Sequence, residues 1–202
     1  MRGSLELTLQ VIGPAVIGAA QALGAFPVAQ RQGAGAMAAD MLESKQIEKI
    51  ILTRPAVEAG ESMGFLPGTI EEKYEPYLQP FRDVFHERMG KGKTEYLIKR
   101  GQIEAAPLAY MRGRTFRNTW VILDEAQNTT PEQMFMFLTR IGENCKVIVN
   151  GDTRQSDIKT MSGLIDCATK LSHLKGVEFI EFGADDIVRS GIVKEIVKAY
   201  SR

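Results

Sequence analysis

The chain has 202 residues, with 25 Lys plus Arg against 25 Asp plus Glu, 44% hydrophobic residues, 19 Gly and 8 Pro. A chain of this length buries roughly 70% of the surface its unfolded form exposes, so residues 1–202 are read as one domain that needs neither disulfides nor structural metal. The composition excludes disordered and collagen-like classes, and zero net charge leaves any nucleic-acid binding to local patches.

Cys145 and Cys167 form neither a zinc pattern nor a disulfide framework, which fits a reducing compartment. The weakly charged beginning is interrupted by Arg2, Glu6 and Arg31 and is rich in Gly and Ala. It reads as neither a membrane span nor a secretory signal, so a cytoplasmic location without membrane contact is expected.

Taken in chain order, Leu5 to Ile12 alternates apolar and polar residues and predicts a first strand. Lys49 to Thr53, Trp120 to Leu123, Lys146 to Val149 and Val177 to Phe182 are the other clear strands. Several are nearly continuous apolar blocks, as strands covered on both faces should be. Short apolar runs alternating with helical segments predict an α/β fold with a mostly parallel sheet. Residues 54 to 119 are too long for a bare loop and should hold a helix around Tyr74 to Met89 and an added strand around Ile103 to Tyr110. Thr130, Pro131 and Gln133 form a capping-box pattern before the apolar stripe Met134, Phe137, Leu138 and Ile141. A final helix is expected after Asp185 and Asp186.

The chemistry concentrates where buried strands end. Trp120 to Leu123 runs into Asp124 and Glu125, which places two adjacent carboxylates at the carboxyl edge of the sheet, where open α/β folds bind ligands. In P-loop nucleotide hydrolases the first such acid holds Mg²⁺ and the second polarises the attacking water. The plain alternative is a solvated loop before the Thr130 cap. Val147 to Val149 leads into Asn150, Gly151, Asp152, Thr153, Arg154 and Gln155, and a neighbouring strand would deliver Asp152 and Gln155 beside Asp124. A side-chain amide there can contact a γ-phosphate or the attacking water.

Several stretches in order resemble the PhoH-like family over about residues 46 to 202: Ile51-Leu52-Thr53-Arg54-Pro55-Ala56-Val57-Glu58-Ala59-Gly60-Glu61, Gly64-Phe65-Leu66-Pro67-Gly68, Met111-Arg112-Gly113-Arg114-Thr115, Asp124-Glu125-Ala126-Gln127-Asn128-Thr129-Thr130-Pro131 and Gly151-Asp152-Thr153-Arg154-Gln155. The resemblance implies a RecA-like P-loop ATPase core akin to superfamily 1 helicases, with ATP and Mg²⁺ as ligands, homo-oligomeric rings and an RNA-related role. It assigns Mg²⁺ holding to Asp124, water activation to Glu125, and phosphate sensing to Asp152 and Gln155. Arg54, Arg112, Arg114 and the late Arg189 become candidate phosphate-neutralising cations.

One part departs from the family. A phosphate loop needs G-x-x-x-x-G-K-[ST], with backbone amides and a lysine around the phosphates and a hydroxyl on Mg²⁺. Gly13, Pro14 and Ala15 begin it and Gly18 keeps the glycine spacing, but Ala19 and Ala20 stand where lysine and hydroxyl belong. The twenty residues 16–35 match nothing in the family, the pattern expected of an out-of-frame stretch between two compensating frameshifts. The competing reading is a non-catalytic ring subunit or RNA-binding module. Gly92-Lys93-Thr94 is no substitute loop, because Glu87 stands five positions before Gly92 and no strand precedes it.

Residues 88 to 117 hold eight bases against Glu95 and Glu104, a candidate nucleic-acid backbone contact or a solvated, ATP-facing or subunit-facing loop region. No aromatic ladder interleaves the charges. His86 and His173 are isolated from other metal-ligating residues, and no metal is expected at them.

Overall fold

In the computed structural model the structure describes residues 6–11, 27–55, 70–153, 156–158 and 160–182. The strands are β1 (Glu6–Val11), β2 (Lys49–Arg54), β3 (Ile103–Pro107), β4 (Thr119–Leu123), β5 (Lys146–Asp152) and β6 (Val177–Phe182). The helices are α1 (Pro27–Glu43), α2 (Ile70–Met89), α3 (Lys91–Lys99), α4 (Pro131–Leu138) and α5 (Gly163–Leu171). The expected final helix lies outside the described residues.

The strands form one sheet in the order β3-β2-β4-β5-β1-β6. Four contiguous strands, β3, β2, β4 and β5, are mutually parallel. With helices on both faces, this is the α/β architecture the sequence predicts and is consistent with a RecA-like P-loop fold. Every residue of β4 is buried, the pattern of a strand covered on both faces.

Alternation along the strands splits the core into two clusters. On one face Ile50, Leu52, Ile103, Trp120, Ile122 and Ile148 pack against α1, α2 and α3. On the other, Ile51, Val121, Leu123, Val147 and Val149 pack against α4 and α5. Parallel pairing in a fixed register keeps each strand's odd and even positions on their own faces.

Two differences from the sequence reading stand out. First, β1 runs antiparallel to both neighbours, with Val11 opposite Val147 and Glu6 opposite Asp152. The strand therefore ends level with the start of β5 rather than with its carboxyl end. A period-two pattern reads the same in both directions, so the alternation of Leu7, Leu9 and Val11 predicted a strand without its polarity. Second, the charged segment after Met89 is a helix. Gly90, at φ 81, breaks α2 from α3, and Thr94 and Leu97 are buried beneath α3. Gly92-Lys93-Thr94 is thus helical, and the Thr94 hydroxyl donates to the Gly90 carbonyl at 3.0 Å.

The edge where β2, β4 and β5 begin is stitched by asparagines. The Asn144 side-chain amide donates to the Gln46 carbonyl at 2.9 Å and to the Asn118 side chain at 3.1 Å. Asn118 in turn donates to Glu48 at 3.0 Å. Asn118 and Asn144 both adopt positive φ, at 49° and 48°, which asparagine tolerates better than most residues. Replacing Asn144 with Ala removes both bonds and leaves an unfavourable backbone, and we expect a loss of about 1–2 kcal/mol in urea unfolding. An unchanged urea midpoint would show that the three strand entries are held without it.

Candidate functional site at the carboxyl edge

Three neighbouring strand ends supply the candidate residues. Arg54 is the last residue of β2, Asp152 the last of β5, and Asp124 and Glu125 follow β4 directly. The Asp124 N–H donates to the Thr53 carbonyl at 2.9 Å, extending the β2–β4 ladder by one bond and fixing the level at which the carboxylates emerge. The pairing of Leu123 with Val149 sets β4 beside β5, so the two acidic turns share one edge as the sequence predicts.

Glu125 is gripped from two sides. Its Oε1 pairs with Arg54 Nη2 at 3.1 Å, and its Oε2 accepts from Gln127 Nε2 at 2.7 Å. The Arg54 guanidinium also lies over the Tyr77 ring at 4.8 Å, a stacked geometry suited to a delocalised cation. Gln127 is fully buried. Its Oε1 accepts from the Asp152 N–H at 3.1 Å, and its carbonyl accepts from Ser156 Oγ at 3.2 Å. The Asn128 side chain accepts from the Asp157 N–H at 2.8 Å. The turn after β4 and the segment after β5 are thereby tied together along both their lengths.

Gly151 makes this contact possible. A Cβ there would lie 2.6 Å from Leu164 and 2.7 Å from Gln127 Oε1, closer than real Cβ contacts permit. The Gln in Asp-Glu-Ala-Gln and the Gly in Gly-Asp-Thr were visible in the sequence, but their contact is a tertiary fact.

Beside Asp124 is a recess lined by Arg54, Tyr74, Tyr77 and Phe81. Burial, reinforced by Tyr77, pushes the Tyr74 hydroxyl up to about 12, so it stays neutral and able to donate a hydrogen bond at physiological pH. Tyr74 and Tyr77 pack with ring centroids 5.1 Å apart. No periodicity in the sequence singled them out from core residues of α2.

Arg114 is engaged elsewhere. Its guanidinium forks onto Glu104 at 2.6 and 3.0 Å, and Lys49 joins the same carboxylate at 2.5 Å. The structure thus brings Arg54 to the acids and Arg114 to Glu104. Arg112 is exposed after a 3₁₀ turn, Leu108–Met111. Gly13, Pro14, Ala15, Gly18, Gln155 and Arg189 lie outside the described residues.

The basic zone is also partly consumed internally. Arg88 pairs with Asp40 at 3.6 Å and Lys93 with Glu43 at 2.6 Å, both reaching α1. Arg82 pairs with Glu75 and, at 3.4 Å, with Glu95, which His86 also meets at 3.0 Å. Among the described residues no helix is long and apolar enough to cross a membrane.

The donor chemistry suits Mg²⁺. Asp124 and Asp152 offer hard oxygen ligands, both only partly buried, and Mg²⁺ characteristically takes one or two carboxylates plus substrate phosphates rather than an all-protein cage. Among the described residues no group of three or more His, Cys, Asp or Glu gathers to form such a cage.

Fold and edge together define an α/β protein with a four-stranded parallel sheet, consistent with the RecA-like P-loop class, and with an acidic, cross-braced carboxyl edge. The chain belongs to the PhoH-like protein family, whose model matches residues 33–201. It is 53% identical over 163 residues to a PhoH-like protein of Bacillus subtilis (strain 168), covering 80% of this chain and 51% of that protein. A PhoH-like protein of Mycobacterium tuberculosis (strain ATCC 25618 / H37Rv) is 50% identical over 169 residues, covering 83% and 48%. Protein PhoH of Escherichia coli (strain K12) is 48% identical over 170 residues, covering 82% and 48%. The chain spans about half the length of the curated relatives it matches. The family match starts at residue 33, so nearly all of the departing stretch 16–35 precedes it.

Glu104 gives a pH test of the Arg114 assignment. Burial alone would raise its pKa, but hydrogen bonds and charge from Arg114 and Lys49 outweigh that and hold it below the usual glutamate range. A depressed folded pKa stabilises fully above the unfolded value, and the contribution is lost as pH falls through the folded one. Wild-type stability should therefore drop below about pH 4.5 partly through Glu104. Glu104→Gln should cost about 1–2 kcal/mol at pH 7 and shrink that acid-dependent drop; parallel stability–pH curves would show that the cluster contributes nothing.

Proposed function

We propose that this chain is the nucleotide-binding domain of a Mg²⁺-dependent P-loop ATPase. The observation that carries this reading is the convergence of Asp124 and Glu125 from β4, Asp152 from β5 and Arg54 from β2 on one sheet edge. Asp124 would hold Mg²⁺, which when bound neutralises phosphate charge. Glu125 would orient the attacking water and take its proton at a carboxylate oxygen. Asp152 and Gln155 would face the terminal phosphate, and Arg54 would share its charge between Glu125 and phosphate.

The absent lysine and hydroxyl at Ala19 and Ala20 predict slow turnover. One charge-assisted bond to phosphate is worth about 1.5–3 kcal/mol, or roughly a tenfold to 150-fold change in rate or affinity. Ala19→Lys with Ala20→Thr writes a complete G-x-x-x-x-G-K-T from Gly13 onward. Phosphate release from Mg²⁺·ATP should rise at least about tenfold in this double variant, and Glu125→Gln should abolish it in either background. Absence of turnover in both backgrounds, with RNA binding retained, would favour the non-catalytic alternative.

RNA association belongs to the same proposal and rests on the outer face of α3, where Arg100 donates to the Tyr96 hydroxyl at 2.8 Å and lies against its exposed ring. An exposed aromatic beside cations suits an unpaired nucleotide. Binding to single-stranded RNA should weaken with salt and on neutralising Lys91, Lys99 and Arg100 together. Neutralising Lys93 alone should change it little, because Glu43 already occupies that cation. Equal binding by the triple variant would remove α3 from the RNA surface.

A further inference from the structure

The fully buried Gln127 joins two groups that the proposed reaction uses separately. Its Nε2 donates to Glu125 Oε2 at 2.7 Å, while its Oε1 accepts from the Asp152 N–H at 3.1 Å. Only one amide orientation serves. Turning it over would face oxygen against carboxylate and N–H against N–H, leaving both partners repelled in a buried site. Gly151 leaves the space that this amide fills, since any Cβ there would lie 2.7 Å from its oxygen and 2.9 Å from the Gln127 nitrogen.

We infer that Gln127 is a positioning residue that makes the Glu125 carboxylate and the end of β5 move as one unit. A shift of the Asp152 backbone pulls the amide, and the amide turns the carboxylate. On the other side Arg54 engages Oε1 at 3.1 Å, leaving Gln127 to fix Oε2. The consequence for catalysis rests on the ATPase reading above, because only there does Glu125 act on water and Asp152 respond to phosphate. The mechanical link itself does not need nucleotide.

The test is amide hydrogen exchange at Asp152 in the nucleotide-free protein, with Val121 in the buried centre of β4 as the control for global opening. Glu125→Ala should speed exchange at Asp152 by at least about fivefold when Gln127 is present. In the near-isosteric Gln127→Met background the same change should add nothing, because the link is already cut. Additive effects, or an Asp152 amide indifferent to Glu125, would overturn the inference. Should Val121 also accelerate in Gln127→Met, Gly151→Ala reaches the same link from β5 and must reproduce the non-additivity with Glu125→Ala, or the inference fails.

Phosphate release then reads the catalytic consequence. Gln127→Met should lower kcat at least tenfold with KM for ATP within about twofold, whereas a general loosening would raise KM as well. Coupled exchange without turnover in either the wild type or the Ala19→Lys/Ala20→Thr background would refute the ATPase reading and leave the link standing; uncoupled exchange with turnover would do the reverse.

Discussion

Glu125 stands in the left-handed region of backbone space, at φ 54 and ψ 38, and the carboxyl edge depends on what keeps it there. A non-glycine residue in that conformation costs on the order of 1–2 kcal/mol. Bonds to Arg54 and Gln127 offset it, together with the Asn128 N–H on the Glu125 carbonyl at 3.0 Å. The same backbone turn sends Gln127 inward beneath β5 and aims Asn128 at the segment that follows β5. Strain is thus stored at the residue with the most demanding proposed chemistry, and the surroundings over-determine it. Loosening either grip would re-aim the carboxylate before it disturbed the sheet.

Much of this was legible because burial writes itself into strand composition. The apolar blocks ending at Asp124 and at Asn150 announced strands covered on both faces, and β4 and β5 are neighbours with their acids at one edge. The capping box was equally local: Gln133 and Thr130 exchange both bonds, at 3.0 and 3.3 Å. What escaped the sequence was whatever depends on partners far along the chain. The Arg-Gly-Arg segment advertised a cation, yet nothing nearby in sequence says that Lys49 on β2 shares Glu104 with Arg114. Likewise Tyr77 reads as one more helical aromatic until Arg54 is found over its ring. The Lys-Gly-Lys composition of α3 resembles a loop, and its helix is imposed by burying Thr94 and Leu97.

Strand polarity is the deepest of these gaps. The first 44 residues contain no lysine, so on the proposed reading the phosphate loop would lack its charge. Independently, Val11 ends opposite Val147, at the edge where β5 starts rather than where its acids lie. The contacts that brace the acidic edge run among β2, α2, β4, β5 and their following turns and use no residue before β2.

That independence shapes how the site would respond to a ligand. Asp124, Glu125 and Asp152 gather carboxylates at one edge, a repulsion that bound Mg²⁺ would relieve on the proposed reading. On the proposed reading, Arg54 has two claimants, Glu125 and an incoming phosphate, and its exposed third lets it exchange between them. Gln127 has no such freedom, because it is fully buried and both ends of its amide are already committed. Phosphate could therefore draw Arg54 away without releasing Glu125, since Gln127 still fixes Oε2 to β5. The two grips on Glu125 are then not redundant: the exchangeable charge responds to ligand, and the buried amide keeps the geometry.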